Sequence, residues 1–193
     1  MVPRVKAIVD SLAKDRGRLD RFVRSLTEEE LARTVPGGTW TVKDFVAHVA
    51  TLDVAYLGWF IALAGDPDPG NHRGSPGFDV DHFNEGAVAE RRGRSVGDIL
   101  VEAARLRARL ISEMERFSDE QLDSTIRFGG DRKRPPVDLP LGQFLGGWSR
   151  HDAIHVADML KALPERRNDP ETLAWLGRPD IAASINSYQK AMG

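Results

Sequence analysis

The chain contains no cysteine. That excludes disulfides, thiolate metal ligands and a cysteine nucleophile together. Any metal must then be held by histidine or carboxylate, and any thiol chemistry must use a thiol brought in as substrate. Net charge is nearly absent as well: 27 basic and 29 acidic side chains leave −2 over 193 residues. No basic surface is offered to phosphate, so a nucleic-acid partner is not expected. No apolar run reaches the roughly 18 residues of a membrane span, and the N-terminus lacks a basic-then-apolar leader. The expectation is a soluble, cytoplasmic protein with no membrane partner. Alternating strand patterns are also scarce, apart from a short extended piece at Thr125–Phe128.

What is present is helical periodicity. A hydrophobic content of 41% suits one core and one domain over residues 1–193. Val5, Ile8, Val9, Leu12, Leu19, Phe22, Val23 and Leu26 repeat at about 3.6 residues behind Pro3. Thr27 with Glu30 reads as a capping box for a short turn, and Val35-Pro-Gly-Gly38 breaks the chain. Thr41 with Asp44 then opens a second long helix whose stripe is Phe45, Val49, Leu52, Tyr56 and Phe60.

Residues 65–78, rich in Gly and Pro, read as a loop, followed by a short helix over 79–92. Ser95 with Asp98 starts a third long helix with Ile99, Ala103, Leu106, Leu110, Met114 and Phe117 on its core face. Ser118 with Gln121 repeats the short capped turn, and 124–138 reads as a second long loop. A fourth long helix is predicted from Leu141 to about Leu163, and one or two tail helices after Pro170 and Pro179. Four long amphipathic helices with long crossovers and short accessory helices make an all-α four-helix bundle.

Histidines interrupt two of the apolar stripes. His48 lies between Phe45 and Leu52; His151 and His155 lie between Trp148 and Met159. Residues four apart share a helix face, so His151 and His155 present two imidazoles to one point, and His48 from another helix would supply a third. Three protein ligands and an open position are the arrangement of a catalytic divalent metal. A lone histidine on such a stripe is more often a hydrogen-bonded core residue. Burying three without partners would cost about 1–3 kcal/mol for each unsatisfied group, and a shared metal satisfies them together.

Asp152 is rotated about 100° from His151. It reads either as a carboxylate orienting an imidazole from behind or as an inter-helix salt-bridge residue. His72 and His82 read as surface histidines. His151-Asp152-Ala-Ile-His155 is also similar to a zincin helix with Asp for Glu. Glu165 and Glu171 stand too near to serve as its third ligand, so a protease is not expected. Tyr56, Trp59, Phe83, Asn84 and Trp148 are candidates for the wall of a substrate pocket.

Two motifs together point to a family. The stretch Gly38-Thr-Trp-Thr-Val-Lys-Asp-Phe-Val-Ala-His48 resembles the Gly-Trp-Ser/Thr-x-x-Asp/Glu-x-x-x-His signature of the DinB-like superfamily, with Gly-Thr-Trp in place of Gly-Trp. Trp148-Ser-Arg-His151-Asp-Ala-Ile-His155 is similar to its His-x-x-x-His helix, and the likeness extends through Phe83-Asn84 and Ser95–Leu100. The resemblance implies a DinB/YfiT-like bundle of up-down-down-up topology, with zinc or nickel at His48, His151 and His155. A homodimer is also implied. Its branches include mycothiol-dependent maleylpyruvate isomerases, thiol transferases using bacillithiol or mycothiol, and stress-resistance proteins that hydrolyse or sequester toxic metabolites. The isomerase branch carries a carboxylate where this chain has His151, which argues against that particular activity.

The leading expectation is a metal-dependent transferase that adds a low-molecular-weight thiol, of the mycothiol or bacillithiol type, to an electrophilic small molecule. The alternatives are a metal-hydroxide hydrolase or toxin-resistance protein on the same residues, and a non-enzymatic binding bundle with a structural metal.

Overall fold

The computed structural model of the chain describes residues 1–50, 53, 79–128 and 136–192. Tyr56, Trp59, Phe60 and His72, and the expected loop over 65–78, lie outside them. Helix α1 (Pro3–Arg24) starts on Pro3, which loses nothing by lacking an N–H in a first turn, and buries Val5, Val9, Leu12, Leu19, Phe22 and Val23. Helix α2 (Glu28–Ala32) has the predicted capping box between Thr27 and Glu30. The Glu30 carboxyl is held down to about 2, chiefly by the Arg166 guanidinium, which donates to it from the far end of the chain.

The break at Val35–Gly38 is a tight turn. Val35 N donates to Trp40 O at 2.8 Å, and Gly37 has φ of 93°, a conformation that favours glycine. The turn delivers Trp40 and Thr41 to the start of α3, which is helical over 42–50 and again at Asp53. Thr41 and Asp44 cap it reciprocally, each backbone N–H donating to the other's side chain.

Helix α4 (Val80–Ala89) is capped by Asp79, and α5 (Val96–Met114) by Ser95. All six residues of the predicted α5 face are buried. Helix α6 (Asp119–Asp123) carries the second capping box, Ser118 with Gln121. The segment read as a loop over 124–138 is not wholly one. Its ends pair as antiparallel strands β1 (Thr125–Phe128) and β2 (Val137–Pro140), in register Ile126 to Leu139. Ile126 is fully buried, which explains why this short strand forms.

The fourth long helix is interrupted. Helix α7 (Leu141–Trp148) ends at Ser149, and α8 (His151–Met159) begins immediately afterwards. The cause is local. Gly146 and Gly147 weaken the last turn, Ser149 Oγ donates to Gly146 O at 2.9 Å, and Arg150 N reaches only three residues back to Gly147 O. After a 3-10 turn at Pro164–Arg166, α9 (Pro170–Leu176) and α10 (Pro179–Met192) complete the chain, and α10 packs on α8.

Two apolar clusters form the core. One gathers Val5, Val9, Leu12, Leu110, Met114, Leu141 and Leu145; the other gathers Leu19, Val23, Val46, Ile99, Ala103, Ala153 and Val156. Along α1, α5 and α7–α8 the buried residues Arg16, Arg107 and Asp152 fall between the two. The site lies at this polar layer. Among the described residues no helix is long and apolar enough to cross a membrane.

Candidate metal centre

His48 comes from α3, and His151 and His155 from the first two turns of α8. One ring nitrogen from each lies within 4.8 Å of the other two. The Nε2 atoms of His151 and His155 are 3.0 Å apart, as the four-residue spacing requires. Ring centroids are 4.3 Å apart for His151–His155, 4.7 Å for His48–His155 and 5.4 Å for His48–His151. His48 and His155 are buried, and His151 is partly so. The three predicted ligands are therefore brought to one point from two helices.

Burial lowers the His48 pKa well below its ordinary value, and a positive charge on His155 would lower it further. Burial lowers that of His151 too, followed by His155, His48, Arg107 and Arg16. Both imidazoles are thus held neutral, the form that offers a lone pair. His155 has its orientation set from behind: Nδ1 faces Asp158 Oδ2 at 3.2 Å, and Lys161 donates to the other Asp158 oxygen at 2.6 Å. Burial pushes the Asp158 carboxyl up, but His155 and Lys161 outweigh it and keep it ionised. In the tautomer with the proton on Nδ1, facing Asp158, the Nε2 of His155 is the nitrogen turned to the cluster.

Among the described residues, four aromatic rings frame the imidazoles. Trp148 stacks on His151 at 5.6 Å and 12°, Trp40 lies 5.3 Å from His48, and Phe45 and Tyr188 lie 5.7 and 5.8 Å from His155. Trp40 is anchored by its Nε1, which donates to Glu85 Oε2 at 2.7 Å; Arg92 binds the same Glu85 and the α3 cap Asp44.

The other sequence candidates divide. Asp152 is buried and receives Arg16 at 2.7 Å and Arg107 at 3.4 Å, the inter-helix salt bridge that was one of its two readings. Its carboxyl, pushed up by burial, is brought down again by those two guanidiniums. Phe83 and Asn84 sit half-buried on α4, and His82 on the same helix is exposed. Tyr56 and Trp59 lie outside the described residues.

Sequence reasoning passed over Asp158, Trp40 and Tyr188. Asp158 could have been found, since it stands three residues from His155 on the same face. Trp40 lies inside the motif that ends in His48. Tyr188 gave no signal, because nothing local ties the last helix to His155.

The sequence model of the DinB superfamily matches residues 11–159. No curated protein matches the chain. Among solved structures, YfiT from Bacillus subtilis, described as a probable metal-dependent hydrolase with an unusual four-helix bundle topology, is similar with a TM-score of 0.65. The two are 15% identical, over 86% of this chain and 89% of YfiT. A mycothiol-dependent maleylpyruvate isomerase is similar with a TM-score of 0.60 at 15% identity, over 82% of this chain and 61% of the isomerase. A histidine-to-alanine variant of that enzyme gives 0.59 at 16%. At these identities the likeness is one of fold: a helical bundle of the same architecture.

Proposed function

The chain belongs to the DinB superfamily, and from that premise we propose that His48, His151 and His155 hold a divalent metal, zinc or nickel, in an enzyme that transfers a low-molecular-weight thiol to a small electrophile. The observation that carries this is the convergence of three imidazole nitrogens within 4.8 Å. Nitrogens about 2.0–2.1 Å from one ion at tetrahedral angles lie about 3.3–3.4 Å from each other, so the 3.0 Å between His151 and His155 is close to that geometry. A set of neutral imidazoles suits zinc and nickel, and it leaves the charge of the ion uncompensated. When bound, such an ion lowers the pKa of a thiol or water placed on it.

The chain's own residues do the rest. Asp158 keeps the proton of His155 on Nδ1, so that its other nitrogen stays a donor of electrons. Trp40, Phe45, Trp148 and Tyr188 exclude water from the imidazoles and give an electrophile apolar surface to lie on. The three-histidine set contains no carboxylate to act as a general base. The charge of the ion would then bring the nucleophile to ionisation, and a thiol, with an ordinary pKa of about 8.5, starts nearer to it than water does. The absence of cysteine means that the thiol arrives on a small molecule.

Hydrolysis is the second reading, supported by the likeness to YfiT, itself described as a probable metal-dependent hydrolase. Elemental analysis of untagged protein, followed by conjugation assays with mycothiol-type and bacillithiol-type thiols, tests the proposal. We expect one divalent ion per chain, thiol-dependent turnover, and loss of both in His48→Ala. Turnover without added thiol would establish the hydrolase instead. Bound metal with neither activity would leave a structural site, and full activity after metal removal would end the proposal.

A further inference from the structure

Four charged side chains that the proposed chemistry does not use are buried in the middle of the bundle: Arg16 from α1, Asp53 from α3, Arg107 from α5 and Asp152 from α8. They form a closed ring of alternating charge. Arg16 reaches Asp152 through Nε at 2.7 Å and Asp53 through Nη2 at 3.5 Å. Arg107 reaches Asp53 through Nε at 2.8 Å and Asp152 through Nη2 at 3.4 Å. Each arginine therefore touches both carboxylates, and the two carboxylates stand on the two helices that carry the histidines. Asp152 directly follows His151, and Asp53 stands five residues beyond His48. Trp148 joins the ring to the site: its Nε1 faces Asp53 Oδ1 at 3.3 Å while its ring stacks on His151.

We propose that Arg16 and Arg107 are positioning residues of the three-histidine centre: by bridging Asp53 to Asp152 they set the register of α3 against α8 and hold His48 opposite His151 and His155. The inference rests on the reading of those histidines as a metal site and deepens it.

Stability alone does not account for the ring. Four buried charges cost desolvation, and apolar residues of similar volume in their place are often neutral or stabilising. Nη1 of Arg16 adds to that cost, being buried with no hydrogen-bond partner among the described residues. Apolar clusters already lie to either side. What the apolar packing between α3 and α8 does not supply is direction. Val46, Ala50, Ala153 and Val156 belong to one cluster, and the hydrophobic attraction that gathers them is non-directional. Ligand atoms must be held to within about 0.5 Å. Two planar guanidiniums, each forked between the same two carboxylates, give that precision, and an ammonium in the same place cannot span both.

The test compares Arg107→Lys and the combined variant Arg16→Met, Asp53→Leu, Arg107→Met and Asp152→Leu with the full-length wild type. It measures zinc affinity by competition with a chelator, the visible spectrum with cobalt(II) in place of zinc, and thermal stability of the metal-free protein. We expect Arg107→Lys to fold and to bind zinc about 10- to 100-fold more weakly, the loss typical of residues that orient ligands from behind. Its cobalt spectrum should be altered.

The combined variant should match or exceed the wild type in thermal stability and still lose zinc affinity, an opposition that a merely structural ring would not show. A folded variant that binds zinc as tightly as wild type with an unchanged cobalt spectrum overturns the inference. If the combined variant does not fold, Arg107→Lys decides alone. Wild-type protein that takes up neither zinc nor nickel would remove the proposed function, and the inference would then be read from imidazole cross-relaxation in metal-free protein. Disappearance of the His48–His155 cross-peak in Arg107→Lys supports it; a cross-peak of wild-type intensity overturns it.

Discussion

Burial makes His48 and His151 reluctant to take a proton, and the direction of that effect sets how the metal-free protein answers to pH. Their folded-state pKa values lie below the unfolded value of about 6.5, first through loss of hydration and then through their neighbours in the cluster. Below that pH the unfolded chain binds protons that the folded chain refuses. Stability is therefore level above about pH 7 and falls as the pH drops toward 5. Urea unfolding of chelator-treated protein across that range should show the midpoint decreasing on acidification, with a shallower decrease in His151→Gln. A midpoint that rises toward pH 5 would mean that the folded state charges these imidazoles, contrary to their surroundings. The same residues show where sequence reading falls short at this scale. Asp152 is the carboxylate that stands out beside His151, but its rotation around the helix carries it to Arg16 and Arg107, and Asp158 takes the place behind His155.

Elements are legible wherever their signals are local. Both capping boxes, the Thr41–Asp44 cap and the Ser95 cap are formed as predicted, because the donors and acceptors involved lie three residues apart. The break between α7 and α8 is the exception: Gly146-Gly147 and Ser149 mark it locally, but the apolar stripe runs through it unbroken, and periodicity does not register a turn that keeps its phase. Two glycines in α7 give opposite expectations. A Cβ at Gly146 meets nothing within 4 Å, so Gly146→Ala should stabilise the protein by about 0.5–1 kcal/mol through helix propensity. A Cβ at Gly142 would stand 3.2 Å from the Leu122 carbonyl oxygen and 3.4 Å from Leu122 Cβ, against a backbone that cannot easily yield. Gly142→Ala should therefore gain less than Gly146→Ala, or lose. Thermal denaturation of the two variants checks the order, and equal gains would show that the α6–α7 packing is soft.

For the molecule as a whole, the division of the core into two apolar clusters separates what holds the bundle together from what aligns the site. Leu110 is fully buried among Val9, Leu12, Met114 and Leu145, in the cluster that, among the described residues, reaches the site only through Trp148. Leu110→Ala should cost about 2–5 kcal/mol of unfolding free energy and leave zinc affinity within about twofold, because the cavity lies on the far side of the charged ring. A large loss of zinc affinity in a protein still folded would show that the two halves are coupled more tightly than their separate packing indicates.

The chain beyond the family match is fastened back onto the first helices by ion pairs of Glu171 with Arg21, Glu165 with Arg33, Arg166 with Glu30 and Arg178 with Asp15. It carries Tyr188 to His155. None of these pairings has a local signature.

The order of residues along the chain was enough to determine the all-α class, most helix starts, and the three imidazoles as candidates for one centre, because helix periodicity, caps and four-residue spacing act over a single turn or two. Only the tertiary structure decided which charges meet inside the bundle. Arg16 and Asp152 stand 136 positions apart and Arg107 and Asp53 stand 54 apart, and a buried ion pair of that span is chosen by helix packing rather than by any nearby residue.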